Sequence, residues 1–138
     1  MNLNLNEARI RELLQNARVI AVVGHSDRPH RTSYQIAAYL RQAGYTVYPV
    51  NPTVETVDGE RSYASLAQVP EAIDIVNVFR RSEYLPDVVE EAIQVGAKAV
   101  WAQLGVYDEA ARQRAVNAGL DVVMNACIKV ERRRLLGA

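Results

Sequence analysis

Five apolar runs punctuate the chain: Val19–Val23, Thr46–Val50, Ile73–Phe79, Ala99–Leu104 and Leu120–Met124. Each is close to continuous in apolar character, where a half-buried strand would alternate, so each reads as a strand covered on both faces. The runs begin 21 to 27 residues apart. Between them the period lengthens to that of a helix. Ile10, Leu13, Leu14 and Ala17 recur at helical spacing behind Asn6, a suitable N-cap. Thr32-x-x-Gln35 has the form of a capping box, followed by Ile36, Ala37 and Leu40 and a stop at Gly44. A third helix is expected from Pro86, with Val88, Val89, Ala92 and Ile93 on one side and Gly96 at its end. A fourth is expected from Asp108 to Gly119. Residues 51–70 are the least regular, with an Asp58-Gly59 turn and one short helix from Ser65. This alternation predicts βαβ units: an α/β fold in three layers, doubly wound, with a five-stranded parallel sheet and helices on both faces. Residues 1–138 are read as one domain.

Composition narrows the function classes. Acidic and basic residues balance at a formal net charge of zero, which gives no electrostatic footprint for nucleic acid. No window is apolar enough to span a membrane, and the N-terminus lacks the basic and apolar segments of a secretory signal. The lone Cys127 has no intrachain disulfide partner, so a cytoplasmic setting is the expectation. Two histidines and one cysteine show no metal-ligand spacing.

In a doubly wound sheet, ligands bind beyond the carboxyl ends of the strands. The richest segment there is Gly24-His25-Ser26-Asp27-Arg28-Pro29-His30-Arg31-Thr32-Ser33-Tyr34. Gly24 permits a sharp turn, Ser26, Thr32 and Ser33 bring hydroxyls, and the following helix offers free amides and the positive end of its dipole. Arg28 and Arg31 add charge-assisted donors. The plain alternative is a tight turn whose hydroxyls only cap the helix. A dinucleotide fingerprint is absent, since Ser26 and Pro29 stand where it needs glycine, and Val50-Asn51-Pro52 carries no acid for a ribose. A Walker pattern and a receiver-type aspartate are also missing. Arg80-Arg81 follow the third run and lead into a helix, where positive charge opposes the dipole, which favours a ligand role over a structural one.

The ordered motifs carry a resemblance. Ala21-Val22-Val23-Gly24, Pro29, Arg31, Ser33-Tyr34, Gly44-Tyr45, Tyr48-Pro49-Val50-Asn51-Pro52, Ser65-Leu66, Val78-Phe79-Arg80, Trp101, Gln103, Gly105-Val106 and Cys127-Ile128-Lys129 run from Val19 to Leu135. Together they resemble the small stand-alone CoA-binding proteins of bacteria and archaea, which are similar to the N-terminal CoA-binding domain of the succinyl-CoA synthetase α subunit. The resemblance implies a Rossmann-like fold and CoA or an acyl-CoA as ligand. It implies that Gly24, Ser26, Arg31, Ser33 and Tyr34 face the pyrophosphate, that Asn51, Pro52, Thr53, Phe79 and Arg80 border the adenosine, and that Gln103 and Gly105 lie along the pantetheine. His25 stands where the family has a small residue and is read as a phosphate or wall contact. CoA brings roughly four negative charges, and Arg28, Arg31, Arg80 and Arg81 bring four positive ones.

No acid–base pair or activated nucleophile stands at a recognisable spacing, so no residue is assigned a catalytic role. Cys127 is read first as a structural cysteine and second as a thiol able to meet that of CoA. Trp101 is read as core and Glu131-Arg132-Arg133-Arg134 as a solvated helix face. Three functions stay open: non-catalytic CoA or acyl-CoA binding, an NAD(P)- or nucleotide-binding subunit acting with a separate catalytic partner, and an interaction module with a vestigial site. A protein partner or a homodimer is compatible with each.

Overall fold

The structure is a computed structural model and describes residues 4–137. In chain order its elements are α1 (Glu7–Asn16), β1 (Val19–Val23), α2 (Thr32–Gln42), β2 (Thr46–Val50), β3 (Thr56–Val57), β4 (Glu60–Arg61), β5 (Ile75–Val78), α3 (Leu85–Gln94), β6 (Ala99–Ala102), α4 (Glu109–Asn117), β7 (Asp121–Val123) and α5 (Ile128–Leu136). Single 3₁₀ turns lie at Leu66–Gln68 and Ser82–Tyr84. The five longer strands form one parallel sheet in the order β2-β1-β5-β6-β7. The strand order therefore reverses between β1 and β5, at the centre of the sheet.

The near-continuous apolar runs are explained by cover on both sides. Ile20, Val22, Ile75 and Trp101 pack under α1, α2 and α5, through Leu14, Leu40 and Ile128 among others. Ala21, Val23, Val76, Val78 and Val100 pack under α3, α4 and the Leu66 turn. Burying a side chain of this size contributes about 1.5–3 kcal/mol, and each strand supplies such residues to both layers. Trp101 is fully buried, and its indole N–H ties the loop after β7 by donating to the Ala126 carbonyl at 3.0 Å.

Several expected boundaries shift for local reasons. The regular strand of the third apolar run starts at Ile75; just before it the Asp74 amide still donates to the Val19 carbonyl at 2.9 Å, while its side chain turns to the loop below the sheet. Its carboxylate accepts the amides of Arg18 at 2.8 Å and Val19 at 2.9 Å and pairs with Lys98 at 3.3 Å. Burial raises its pKa, but these donors outweigh that and hold it below the usual value. The Asp58-Gly59 turn closes a two-residue antiparallel hairpin, β3 with β4, that had not been expected as strands. The capping box at Thr32-x-x-Gln35 is not formed. Arg31 holds the N-cap position without a side-chain cap bond, since a turn from its amide to the Arg28 carbonyl at 3.0 Å starts the helix there. Gln35 instead reaches back to the carbonyls of Pro29 and His30 at 3.3 and 3.5 Å.

The C-terminal basic run is also more than a solvated face. Arg132 lies between the rings of Tyr39 and Tyr45 and donates to both hydroxyls, and Arg134 pairs with Glu7 and Glu131. These contacts fasten α5 to α2 and α1. Among the described residues, no helix is long and apolar enough to cross a membrane.

Candidate ligand-binding site

At the reversal of strand order, the loops after β1 and β5 touch. Gly24 sits at φ +86°, and a Cβ built on it would lie 2.9 Å from the Phe79 carbonyl oxygen and 3.3 Å from Cγ of Arg80. The direction in which a side chain would grow is thus filled by the neighbouring loop. Gly24 also donates its amide to the Val50 carbonyl at 2.8 Å, which joins the ends of β1 and β2. Asn51 strengthens that junction: its Nδ2 donates to the His25 carbonyl at 3.1 Å, and its Oδ1 accepts the amide and hydroxyl of Thr53.

The loop from His25 to Arg31 is folded on itself by serine hydroxyls. Ser33 Oγ accepts the amide of Ser26 at 2.9 Å, and Ser26 Oγ accepts the amide of Arg28 at 3.0 Å. Ser33 is buried, so its hydroxyl braces the loop from behind. Arg28 and Arg31 stand exposed on the surface of this loop. Because no side chain caps α2, its first amides are left for solvent or a ligand, together with the positive end of the helix dipole.

His25 does not join them there; it has no exposed surface. Its Nδ1–H donates to the Ser26 carbonyl at 2.8 Å, since a carbonyl only accepts, which leaves Nε2 to accept from Arg41 Nη1 at 3.2 Å. Burial, followed by the adjacent guanidinium, brings its pKa down to about 4 against the pull of the Ser26 carbonyl. The ring is a neutral prop beneath the loop, placed edge-on to Tyr34. Tyr34 in turn donates its hydroxyl to Asp58 at 2.5 Å, which draws the β3–β4 hairpin to the first turn of α2.

A cleft opens between these loops. Gly24, Asn51, Pro52, Thr53 and Arg80 line it, with Val23, Val50 and Leu66 as apolar walls and Ser65 and Glu91 as further polar ones. Arg80 spreads its guanidinium over the Tyr84 ring at 4.1 Å, and Arg81 turns to Glu83 at 3.4 Å. Phe79 is half-buried and packs against the core layer under α1, α2 and α5, so its side chain is not part of the cleft wall. Gln103 and Gly105 follow β6, one strand further along, outside the cleft. Gly105 donates its amide to Asn125 Oδ1 at 2.7 Å, which clasps the loops after β6 and β7. Gln103 keeps a buried Oε1 without a protein partner. Cys127 is half-buried at the N-cap of α5. Sequence reasoning missed Glu91 and Leu66 as cleft residues; a glutamate within the pattern of α3 carries no mark that separates it from its neighbour Glu90.

The profile of a family described as a CoA binding domain matches residues 18–133. The chain belongs to the CoA binding domain family. Within or near this family, it is 47% identical over 127 residues to the uncharacterised protein YneT of Bacillus subtilis, covering 92% of this chain and 94% of that one. It is 31% identical over 86 residues to the II subunit alpha of an ADP-forming acetate-CoA ligase from Pyrococcus furiosus, covering 62% of this chain and 19% of that subunit. Among solved structures, a hypothetical protein from Pyrococcus horikoshii OT3 superposes with a TM-score of 0.94 at 40% identity, covering 99% and 97% of the two chains. A dinucleotide-forming acetyl-coenzyme A synthetase from Ca. Korarchaeum cryptofilum, in its apo form, gives a TM-score of 0.70 at 28% identity and covers 83% of this chain and 27% of that one. The Rossmann-like, five-stranded parallel α/β fold of the family is thus the fold of this chain.

Proposed function

We propose that this chain binds CoA or an acyl-CoA without transforming it. The observation that carries this reading is the uncapped start of α2, flanked by Arg28 and Arg31, opening beside a cleft at the reversal of strand order. The pyrophosphate lies on the amides of α2 and the two arginines, the adenosine enters the cleft between Asn51-Pro52-Thr53 and Phe79-Arg80, and the pantetheine runs past Phe79 toward Gln103 and Gly105. Ser26, Ser33 and Tyr34 hold the loop in shape for the pyrophosphate, and His25 props it from below. Binding without chemistry is supported by the state of the histidines: His25 is buried with both nitrogens engaged, and His30 is exposed in the loop. The ligase relatives are much longer, and this chain spans about a fifth of the Pyrococcus furiosus subunit. Delivery of the bound thiol to a separate protein partner is therefore compatible with the reading.

The test is calorimetric titration of the chain with CoA, acetyl-CoA, ADP and NADP. CoA and acetyl-CoA are expected to bind more tightly than ADP, and NADP more weakly still. Tighter binding of NADP than of CoA returns the chain to the nucleotide-binding subunit reading.

A further inference from the structure

The cleft contains one carboxylate that the phosphate-binding reading does not use. Glu91 stands on α3, six residues past Leu85, which is about 9 Å down the helix axis from its start. Glu91 is half-buried and lines the cleft beside Leu66, whereas Arg28 and Arg31 stand exposed on the loop before α2 and are not part of the cleft wall. Its Oε1 takes a long bond, 3.4 Å, from the amide of Leu66, and among the described residues its Oε2 has no partner. The walls that share the cleft with it, Val23, Val50, Pro52 and Leu66, are apolar and suit a planar ring.

An acid facing the pocket of a polyanion is electrostatically unfavourable unless it meets a donor on the ligand. We infer that Glu91 selects the purine: its free Oε2 accepts the exocyclic 6-amino group of an adenine seated between the Pro52 and Leu66 walls. The inference rests on the reading that the cleft takes the adenosine end of CoA. The base is favoured over the sugar because Glu91, bonded to the Leu66 amide, stands against apolar walls that suit a planar ring. A purine with a 6-oxo group would turn acceptor lone pairs toward the carboxylate.

Binding of CoA and of its 6-deaminated counterpart, in which hypoxanthine replaces adenine, tests this on the wild-type chain and on two variants. The wild type is expected to prefer adenine by roughly tenfold to a hundredfold, the range for losing a hydrogen bond to a charged group. In Glu91→Gln the Oε1 still accepts from Leu66 while the cleft-facing atom becomes an amide donor. Its preference is expected to vanish or reverse, with hypoxanthine-CoA gaining affinity. Glu91→Asp keeps the charge but withdraws it from the base, so adenine affinity and preference both fall. Wild-type binding of both forms within threefold of each other, or a Glu91→Gln variant that keeps the adenine preference, overturns the inference while leaving CoA as the ligand. Failure of the wild type to bind either form overturns both readings together.

Discussion

Ser33 Oγ accepts the amide of Ser26 at 2.9 Å, seven positions earlier in the chain, from a buried position on the first turn of α2. The hydroxyl that would ordinarily cap its own helix is used to fix the preceding loop. Ser33→Ala leaves the Ser26 amide without that acceptor in a partly buried setting, which costs about 1–3 kcal/mol. Urea unfolding of the ligand-free chain should show a midpoint lowered accordingly. An unchanged midpoint means that water replaces the hydroxyl.

Arg31→Ala should behave in the opposite manner. Arg31 is exposed and makes no side-chain cap for α2, so stability should be retained. A charge-assisted hydrogen bond to a phosphate is worth about 1.5–3 kcal/mol, which predicts CoA binding weaker by roughly tenfold to a hundredfold. Calorimetry on the variant decides this. Wild-type affinity would show that the loop does not cradle the pyrophosphate through this residue.

His25 makes the fold sensitive to acid. Its pKa falls from the ordinary 6.5 to about 4 in the folded chain, so below pH 6.5 the unfolded chain binds a proton that the folded chain refuses. The stabilising contribution is complete above pH 6.5 and is lost as pH falls toward 4, by up to about 3 kcal/mol. Melting temperature measured between pH 7 and pH 5, above the range where carboxylates dominate, should fall in the wild type and stay flatter in His25→Gln. Parallel curves for the two proteins would remove His25 as the cause.

Two glycines allow the contact at the reversal of strand order to be separated from backbone preference. Gly24 and Gly44 both have positive φ, at +86° and +104°, but a Cβ at Gly44 meets nothing within 4 Å, whereas one at Gly24 meets the Phe79 carbonyl at 2.9 Å. Gly44→Ala should cost about 1–2 kcal/mol for the left-handed conformation alone. Gly24→Ala should cost distinctly more, because the obstructing atom is backbone and cannot swing aside. Denaturant midpoints of the pair give the difference directly, and equal losses would mean that the β5 loop yields.

The regularly spaced apolar runs made the sheet and its helices legible, since burial of β1 and β5 on both faces follows from their unbroken apolar character. Asn6 was readable as an N-cap and accepts the Arg9 amide three residues on, while Asp108, where the fourth helix was expected to begin, proves to be its N-cap and accepts the Ala111 amide. What escaped detection depended mostly on contacts between segments distant in sequence. Asp74 turns its carboxylate to Arg18 and Val19, far off in sequence, and the capping box at Thr32 fails because the turn from the Arg31 amide to the Arg28 carbonyl starts α2 at Arg31. His25 followed a glycine in a polar loop, which gave no sign that it folds under the chain to meet Arg41 from the far end of α2. In the candidate site, Gly24, Asn51, Pro52, Thr53 and Arg80 were foreseen and share the cleft. Glu91 was not, because its place depends on where the Leu66 turn comes to rest.

The contact between Gly24 and the Phe79 carbonyl bears on how relatives should be compared. A side chain is excluded there by the protein's own backbone, whatever occupies the cleft. Retention of this glycine across related chains therefore reports the closure of two loops and carries no information about ligand identity. Divergence at Arg31, which is exposed and makes no cap for α2, is where a change of ligand would leave its trace.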